Sequence, residues 1–178
     1  MNSLYNVRFA SAMIRVIRYP FRRPYKDRTL FKHTSIVCFL LSVAAPTPAQ
    51  VVINEILYHP ASDDSNEEFI ELVNISDSTV DLTRWFFMEG IQFAFPSETT
   101  IPPQGYLIVA RNRAKFLETY GTVPCPVLGD FSGQLSNAGE LIVLVASNRR
   151  VHDRVRYSDQ WPWNPDADGS GRSLECIA

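Results

Sequence analysis

Residues that commonly build reaction centres are scarce in this chain. Its 178 residues include three histidines and three cysteines. Neither His59 nor His152 has the clustered His or Cys neighbours that a zinc site needs. The sequence also has no Gly-x-Ser-x-Gly nucleophile turn, no His-Glu-x-x-His helix and no phosphate-binding Gly-Lys-Ser loop. From these absences we predict that the protein is not an enzyme.

The chain also has no apolar run long enough for an ordinary transmembrane helix, which needs ~20 residues. The run at residues 35–45 is shorter and follows a basic stretch, since residues 1–49 carry eight Lys or Arg against one acid. A basic flank, a short apolar core and then Pro46-Thr47-Pro48-Ala49 form the order of a secretory signal peptide. We therefore predict cleavage before Gln50 and a location that is secreted, periplasmic or on the cell surface.

Two alternatives to this export prediction stay open. Translation starting at Met13 would shorten the unusually long basic flank. An uncut segment would instead anchor the protein, and this is the only membrane contact that the sequence suggests. Either way, residues 1–49 form the flank and signal segment, and residues 50–178 form one domain.

The exported part is acidic. Residues 50–178 carry nine Lys or Arg and eighteen Asp or Glu, which gives a net charge of −9 with histidine neutral. Such a surface repels phosphate, so nucleic acid is not an expected partner. After loss of Cys38 with the signal, Cys125 and Cys176 permit one disulfide in an oxidising compartment. Two unpaired thiols are the alternative, because a core of this size does not need a covalent link.

Short apolar runs separated by turn residues fill the exported part, and they predict an all-β domain. Leu141–Val145 follows the turn Ser136-Asn137-Ala138-Gly139 and is typical of a strand buried on both faces. Residues 151–157 alternate between the two faces of a half-buried strand, with His152 expected on the exposed side. One helix is predicted over Arg113–Tyr120, capped by Asn112 and ended by Gly121. Strands at this spacing predict an antiparallel β-sandwich with one short helix.

Several segments together resemble the lamin tail domain family. Each is weak alone, but they follow the family's order and cover nearly all of residues 51–177: 52–56, 68–74, 80–85, 101–110, 135–140, 157–159, 161–162 and 168–175. With a signal segment and no heptad rod before the domain, the chain resembles the exported bacterial members of this family rather than the nuclear filament proteins. The resemblance implies an immunoglobulin-like sandwich that binds or tethers other molecules and has no chemistry of its own.

Two loops carry candidate binding residues. Asp166 and Asp168 in Asp-x-Asp-Gly resemble the start of a calcium loop, but Glu175 falls two positions short of the usual distal glutamate. A plain hairpin connection is the alternative. Trp161-Pro162-Trp163 places a proline between two indoles, which favours outward side chains that bind partners or sugar rings. Packing of both indoles onto the end of the sandwich is equally compatible with the sequence.

Acidic residues also occur on predicted strands, with Glu55, Glu71 and Glu140 as the clearest cases. Pairing with Arg84, Arg154 or Arg156 across the sheet is the structural interpretation. The sequence therefore favours an exported, non-catalytic module that binds a protein or a cell-envelope component. A calcium-stabilised adhesion module, which would add the acids of residues 63–71, and an appendage of a secreted hydrolase are the alternatives.

Overall fold

The computed structural model describes residues 14–16 and 50–176, and these residues are mostly β-strand. In chain order the elements are β1 (Ile14–Val16), β2 (Val51–Leu57), β3 (Phe69–Asn74), β4 (Val80–Asp81), β5 (Phe86–Glu89), β6 (Phe93–Ala94), β7 (Thr100–Ile101), β8 (Tyr106–Ala110), α1 (Arg113–Tyr120), β9 (Val127–Leu128), β10 (Leu141–Val145), β11 (Val151–Arg156) and β12 (Leu174–Cys176). Two 3₁₀ turns, Ser65–Glu67 and Pro165–Ala167, precede β3 and β12. β1 falls within the basic flank of the predicted signal segment, whereas the apolar core at residues 35–45 and the predicted cleavage site lie outside the described residues.

The strands form two main layers. The larger sheet has the order β1-β12-β2-β3-β8-β9, and the smaller sheet has the order β11-β10-β5-β6. A third, two-stranded sheet joins β4 to β7. Pairing is antiparallel except between β1 and β12 and between β8 and β9. The predicted β-sandwich is therefore confirmed, with two short parallel pairings at the ends of the larger sheet.

The main core lies between the two layers. Ile70 and Leu72 of β3 belong to this core, as do Ile142 and Leu144 of β10. Trp85 is buried there too. Both faces of β10 are largely buried, in line with its continuous apolar run.

Helix α1 covers the outer face of the larger sheet. The Asn112 side chain accepts from the Lys115 amide at 2.9 Å, and Gly121 ends the helix with a positive φ of 72°, so both predicted caps are present. Phe116 is the buried residue of the helix, and it packs against Phe69 and Ile108 in a second apolar cluster. The described residues include no helix that is long and apolar enough to span a bilayer.

Side chains of β11 join the two layers at the start of β2. The Ile53 amide donates to the Asp153 carboxylate at 2.8 Å, and the Val51 amide donates to His152 Nε2 at 3.2 Å. β12 pairs only with the second half of β2, at Glu55 and Ile56. The acceptors from β11 therefore satisfy amides of β2 that the neighbouring strand does not reach.

Candidate functional site

The loop between β11 and β12 holds the most exposed aromatic side chain of residues 50–176. Trp161 is 90% exposed, whereas Trp163 is half-buried and packs against the main core. The two indoles therefore separate. Trp163 packs against the domain and fixes the loop, whereas Trp161 projects into solvent. Each of the two alternatives from the sequence thus applies to one indole.

A histidine bracketed by two carboxylates holds the same loop. His59 follows β2, and its Nδ1 lies 2.5 Å from Asp168 Oδ1 while its Nε2 lies 2.8 Å from Asp63 Oδ1. Only the protonated imidazole donates from both nitrogens. The pKa of His59 is raised, chiefly by its hydrogen bond to Asp168 and also by its bond to Asp63. Burial of the ring lowers this pKa, but by less than the bond to Asp168 raises it. We call His59, Asp63 and Asp168 the histidine clamp.

Gly169 brings the loop backbone directly against the clamp. Its φ is +72°, and a Cβ there would lie 3.2 Å from His59 Cε1. A side chain at this position would therefore meet both an unfavourable backbone region and the imidazole ring. The glycine permits the close approach that lets Asp168 reach His59.

The two aspartates of the predicted calcium loop have different partners. Asp166 Oδ2 lies 2.5 Å from Arg172 Nη1, and Asp168 is part of the histidine clamp. The Asp166 amide is bound by the Asn164 side chain, which caps the 3₁₀ turn. Within the described part of the chain, no group of three or more His, Cys, Asp or Glu is arranged to hold a metal ion. The structure thus does not bring Asp166 and Asp168 together around one point.

Three glutamates form a row across the larger sheet. Glu55 is the register partner of Glu71 on one side and of Glu175 on the other. Glu55 and Glu71 are 4% and 3% exposed. Burial is the main cause that raises the pKa of both carboxyls, and it raises that of Glu71 to about 8, with the neighbouring Glu55 adding to the effect. Asn54 Nδ2 donates to Glu71 at 2.8 Å, and the Ser173 hydroxyl donates to Glu55.

This row does not have the access that a hydrolase would need. Opposed strand residues have Cβ atoms ~5 Å apart, which is near enough for their carboxyl groups to approach the ~5 Å separation that retaining glycosidases use. A polysaccharide, however, must reach both groups, and both are almost fully buried. Their bonds to Asn54 and Ser173 instead support a structural role for the pair.

Glu68 and Glu140 fasten the long loop before β10. Glu68 accepts from the Leu135 amide at 2.9 Å, and Arg111 Nη1 lies 3.5 Å from its other oxygen. Burial raises the pKa of Glu68 to about 7. Glu140 accepts from the Ser136 amide at 2.8 Å and from the Tyr157 hydroxyl at 3.2 Å. These two carboxylates therefore hold the loop backbone in place at Leu135 and Ser136.

The expected strand ion pairs are not the ones found. Among the described residues, Arg84, Arg154 and Arg156 form no ion pair with Glu55, Glu71 or Glu140, and Arg111 approaches Glu68 instead. The prediction of an exposed His152 is also wrong. The register shifts between Leu144 and Val145, which breaks the alternation of β11 near His152. His152 is half-buried and lies 4.3 Å from Trp85, measured between ring centres.

Cys125 is a half-buried free thiol just before β9. Burial raises its pKa to about 12, with nearby Glu71 adding to the shift. β9 and β12 are separated by four strand spacings in the larger sheet, which amounts to about 19 Å. A disulfide requires Cα atoms within ~7 Å. The fold therefore does not bring Cys125 and Cys176 together.

The histidine clamp was not visible in the sequence. His59 and Asp168 are 109 positions apart, and no spacing rule connects them. Asp63 follows His59 by four positions, but this spacing predicts contact only within a helix. Pro60 and its neighbours indicate a turn instead. The closest signal was the Asp-Gly pair at 168–169, which marked a tight turn without indicating what it packs against.

One family model matches this chain. It is described as Lamin Tail Domain and covers residues 44–159, about two thirds of the sequence. The match includes β2 to β11 and stops before Trp161. No curated protein matches the chain.

Proposed function

The chain belongs to the lamin tail domain family, and on this premise we propose that it is an exported module that tethers a protein or cell-envelope component. The family consists of immunoglobulin-like domains and agrees with a non-catalytic binding role. Export places the module in the secreted, periplasmic or surface fraction. The binding surface in this proposal is centred on Trp161.

Trp161 is the observation that supports the proposal. Burial of an exposed indole by a partner removes a large apolar surface from water, and tryptophan is enriched among the residues that contribute most binding energy. Its loop is held by the half-buried Trp163 and by the histidine clamp. An exposed aromatic group on a fixed loop binds with little loss of conformational freedom.

The charge of the domain favours the same class of partner. A net charge of −9 in residues 50–178 argues against nucleic acid and against an anionic lipid surface. Membrane contact in this proposal occurs only through an uncut signal segment. Neutral sugar rings and the apolar patches of proteins remain as surfaces that an indole can cover.

Binding is tested by co-sedimentation with an insoluble cell-envelope preparation from the producing cells. The full-length gene is expressed, and the exported product is used. We expect saturable binding that Trp161→Ala weakens at least tenfold, since a central tryptophan contributes ~2 kcal/mol or more. Ile75→Ala is the matched control, because Ile75 is also exposed and apolar but lies in the β3–β4 connection. Equal binding by all three proteins would contradict the role of Trp161.

Export is tested separately by the mass of the product. We expect the exported protein to begin at Gln50, as the predicted cleavage site requires. An intact product in the membrane fraction would support the anchor alternative. An intact product that stays in the cytosol would contradict export.

A further inference from the structure

Trp161 has no other exposed large apolar side chain beside it on the connection between β11 and β12. The remaining exposed large apolar residues of the described part of the chain are Ile75 in the β3–β4 connection, Met88 on β5 and Val151 on β11. Residues that dominate protein interfaces usually lie within a wider patch that the partner seals from water. The loop offers one indole instead, which is an area that a single small ring can cover.

A closed turn presents this indole. The Trp163 amide donates to the Gln160 carbonyl at 3.0 Å, and the Gln160 amide donates to the Ser158 hydroxyl at 3.1 Å. Trp163 also packs against the main core. We call residues 158–163 the tryptophan turn. Because its backbone is already fixed on both sides of Trp161, covering the indole costs little conformational entropy.

Polar side chains precede the indole in the tryptophan turn. Gln160 is exposed, and its Nε2 donates to Asp159 Oδ2 at 2.9 Å. This bond uses one of two N–H groups of the amide, which keeps a second donor and an acceptor oxygen, while the carboxylate keeps further lone pairs. A sugar ring has C–H groups on its face and hydroxyls at its rim. An aromatic face with hydrogen-bonding groups close by in the chain matches both.

The charge of the loop excludes anionic sugars as good ligands. Residues 157–171 include three aspartates and no Lys or Arg. One of these aspartates, Asp159, lies within the tryptophan turn itself. Negative charge at the site repels polymers rich in phosphate or uronic acid, whereas a neutral polymer meets no such barrier.

From the isolated indole, the adjacent polar groups and the negative charge, we propose that the tryptophan turn binds a neutral polysaccharide of the cell envelope. The Trp161 indole stacks on the C–H groups of one sugar ring, and Gln160 and Asp159 form hydrogen bonds with its hydroxyls. This inference rests on the proposed function and names the class of ligand that Trp161 binds.

Co-sedimentation with two forms of the cell-envelope preparation tests the proposal. One form is untreated, and the other is extracted with hot detergent and digested exhaustively with protease, which leaves its polysaccharide. We expect the exported product of the full-length gene to bind both forms equally. Soluble fragments released from the second form by polysaccharide hydrolases should compete for binding. High salt should leave binding unchanged, because a neutral ligand makes no ion pairs.

Variants of the tryptophan turn locate the contact. On the extracted form, Trp161→Ala should weaken binding at least tenfold, and Trp161→Phe should retain part of it because a smaller ring still stacks. Gln160→Ala should weaken binding by about threefold to tenfold, as expected for one lost hydrogen bond. Gln134→Ala is the matched control and should have no effect, since Gln134 is an exposed glutamine in the β9–β10 connection.

The outcomes separate this inference from the proposed function. Binding that depends on Trp161 but is lost on extraction and protease digestion identifies a protein or lipid ligand, which overturns the inference and leaves the proposed function standing. Binding that high salt abolishes identifies a charged ligand and overturns it too. Binding to the extracted form that Trp161→Ala does not weaken contradicts both, and circular dichroism of each variant excludes misfolding as the cause of a loss.

Discussion

Glu55 and Glu71 lie directly opposite each other on β2 and β3, and both carboxyls are almost completely buried. Two adjacent buried carboxylates cannot both ionise without a large cost in free energy. The pKa of Glu71 accordingly rises from 4.5 to about 8 through burial and through the neighbouring charge of Glu55. The domain thus holds a proton between its central strands at neutral pH.

This proton makes stability depend on pH. Because the folded pKa of Glu71 exceeds the unfolded value of 4.5, its stabilising effect is complete below pH 4.5 and is lost as the pH rises through about 8. Glu71→Gln should therefore raise the free energy of unfolding at pH 8 by an amount on the order of a few kcal/mol. The melting temperature should rise by several degrees. The gain should disappear near pH 5. Thermal unfolding of both proteins across this range checks the prediction, with exposed Glu89→Gln as the control.

The histidine clamp predicts opposite titration shifts for two histidines. The pKa of His59 is raised, chiefly by its hydrogen bond to Asp168. The pKa of His152 is lowered, chiefly by burial. We expect NMR titration to place them above and below 6.5, and Asp168→Asn should lower the pKa of His59 more than Asp63→Asn does. A His59 value at or below 6.5 would contradict the clamp.

Two neighbouring tyrosines should respond differently to loss of their hydroxyls. The rings of Tyr58 and Tyr157 are 4.8 Å apart in the core. The Tyr157 hydroxyl donates to the Ser136 carbonyl at 2.8 Å, whereas the buried Tyr58 hydroxyl has no hydrogen-bond partner among the described residues. Tyr157→Phe should cost about 1–3 kcal/mol, while Tyr58→Phe should be neutral or stabilising. Urea unfolding of this matched pair gives the comparison, and an equal loss in both would refute it.

Gly139 should tolerate substitution far less well than Gly121. Both have positive φ, but a Cβ on Gly139 would lie 2.4 Å from the Tyr157 carbonyl oxygen, and one on Gly121 would meet nothing within 4 Å. Gly121→Ala should cost about 1–3 kcal/mol from backbone strain alone, because φ of 72° with ψ of −160° is a region that is almost restricted to glycine. Gly139→Ala adds displacement of backbone and should cost more than 3 kcal/mol. The same unfolding measurement ranks them.

Calcium should leave the melting temperature unchanged. Asp166 is bound to Arg172, and Asp168 is bound to His59, so a cation would have to displace both partners. A specific ligand raises stability in proportion to the logarithm of its concentration over Kd. Melting curves with millimolar calcium and with chelator should therefore coincide. A rise with calcium that Asp166→Ala removes would favour the calcium-stabilised adhesion module instead.

Local patterns in the sequence predicted most of the fold. Asn112 and Gly121 marked helix α1 because capping depends on residues within one turn. The apolar run of β10 identified a strand for the same reason, since a short apolar run between turn residues is a local signal. The family resemblance also holds, as the match over residues 44–159 demonstrates.

Contacts between distant residues could not be predicted in this way. The register of β2 on β3 sets Glu55 opposite Glu71, and no local pattern encodes that register. The shift between β10 and β11 gives another example. It exposes Val151 and half-buries His152, which reverses what strict alternation indicated.

The side chains of β11 that accept from β2 have a consequence for how the domain opens. Detaching β11 would break the buried hydrogen bond from the Ile53 amide to the Asp153 carboxylate, and this loss adds to the cost of any partial separation. Fraying of the smaller sheet alone is thereby disfavoured. Deuterium uptake at Ile53 should accordingly be as slow as at the centre of β3, with both reporting the same whole-domain event.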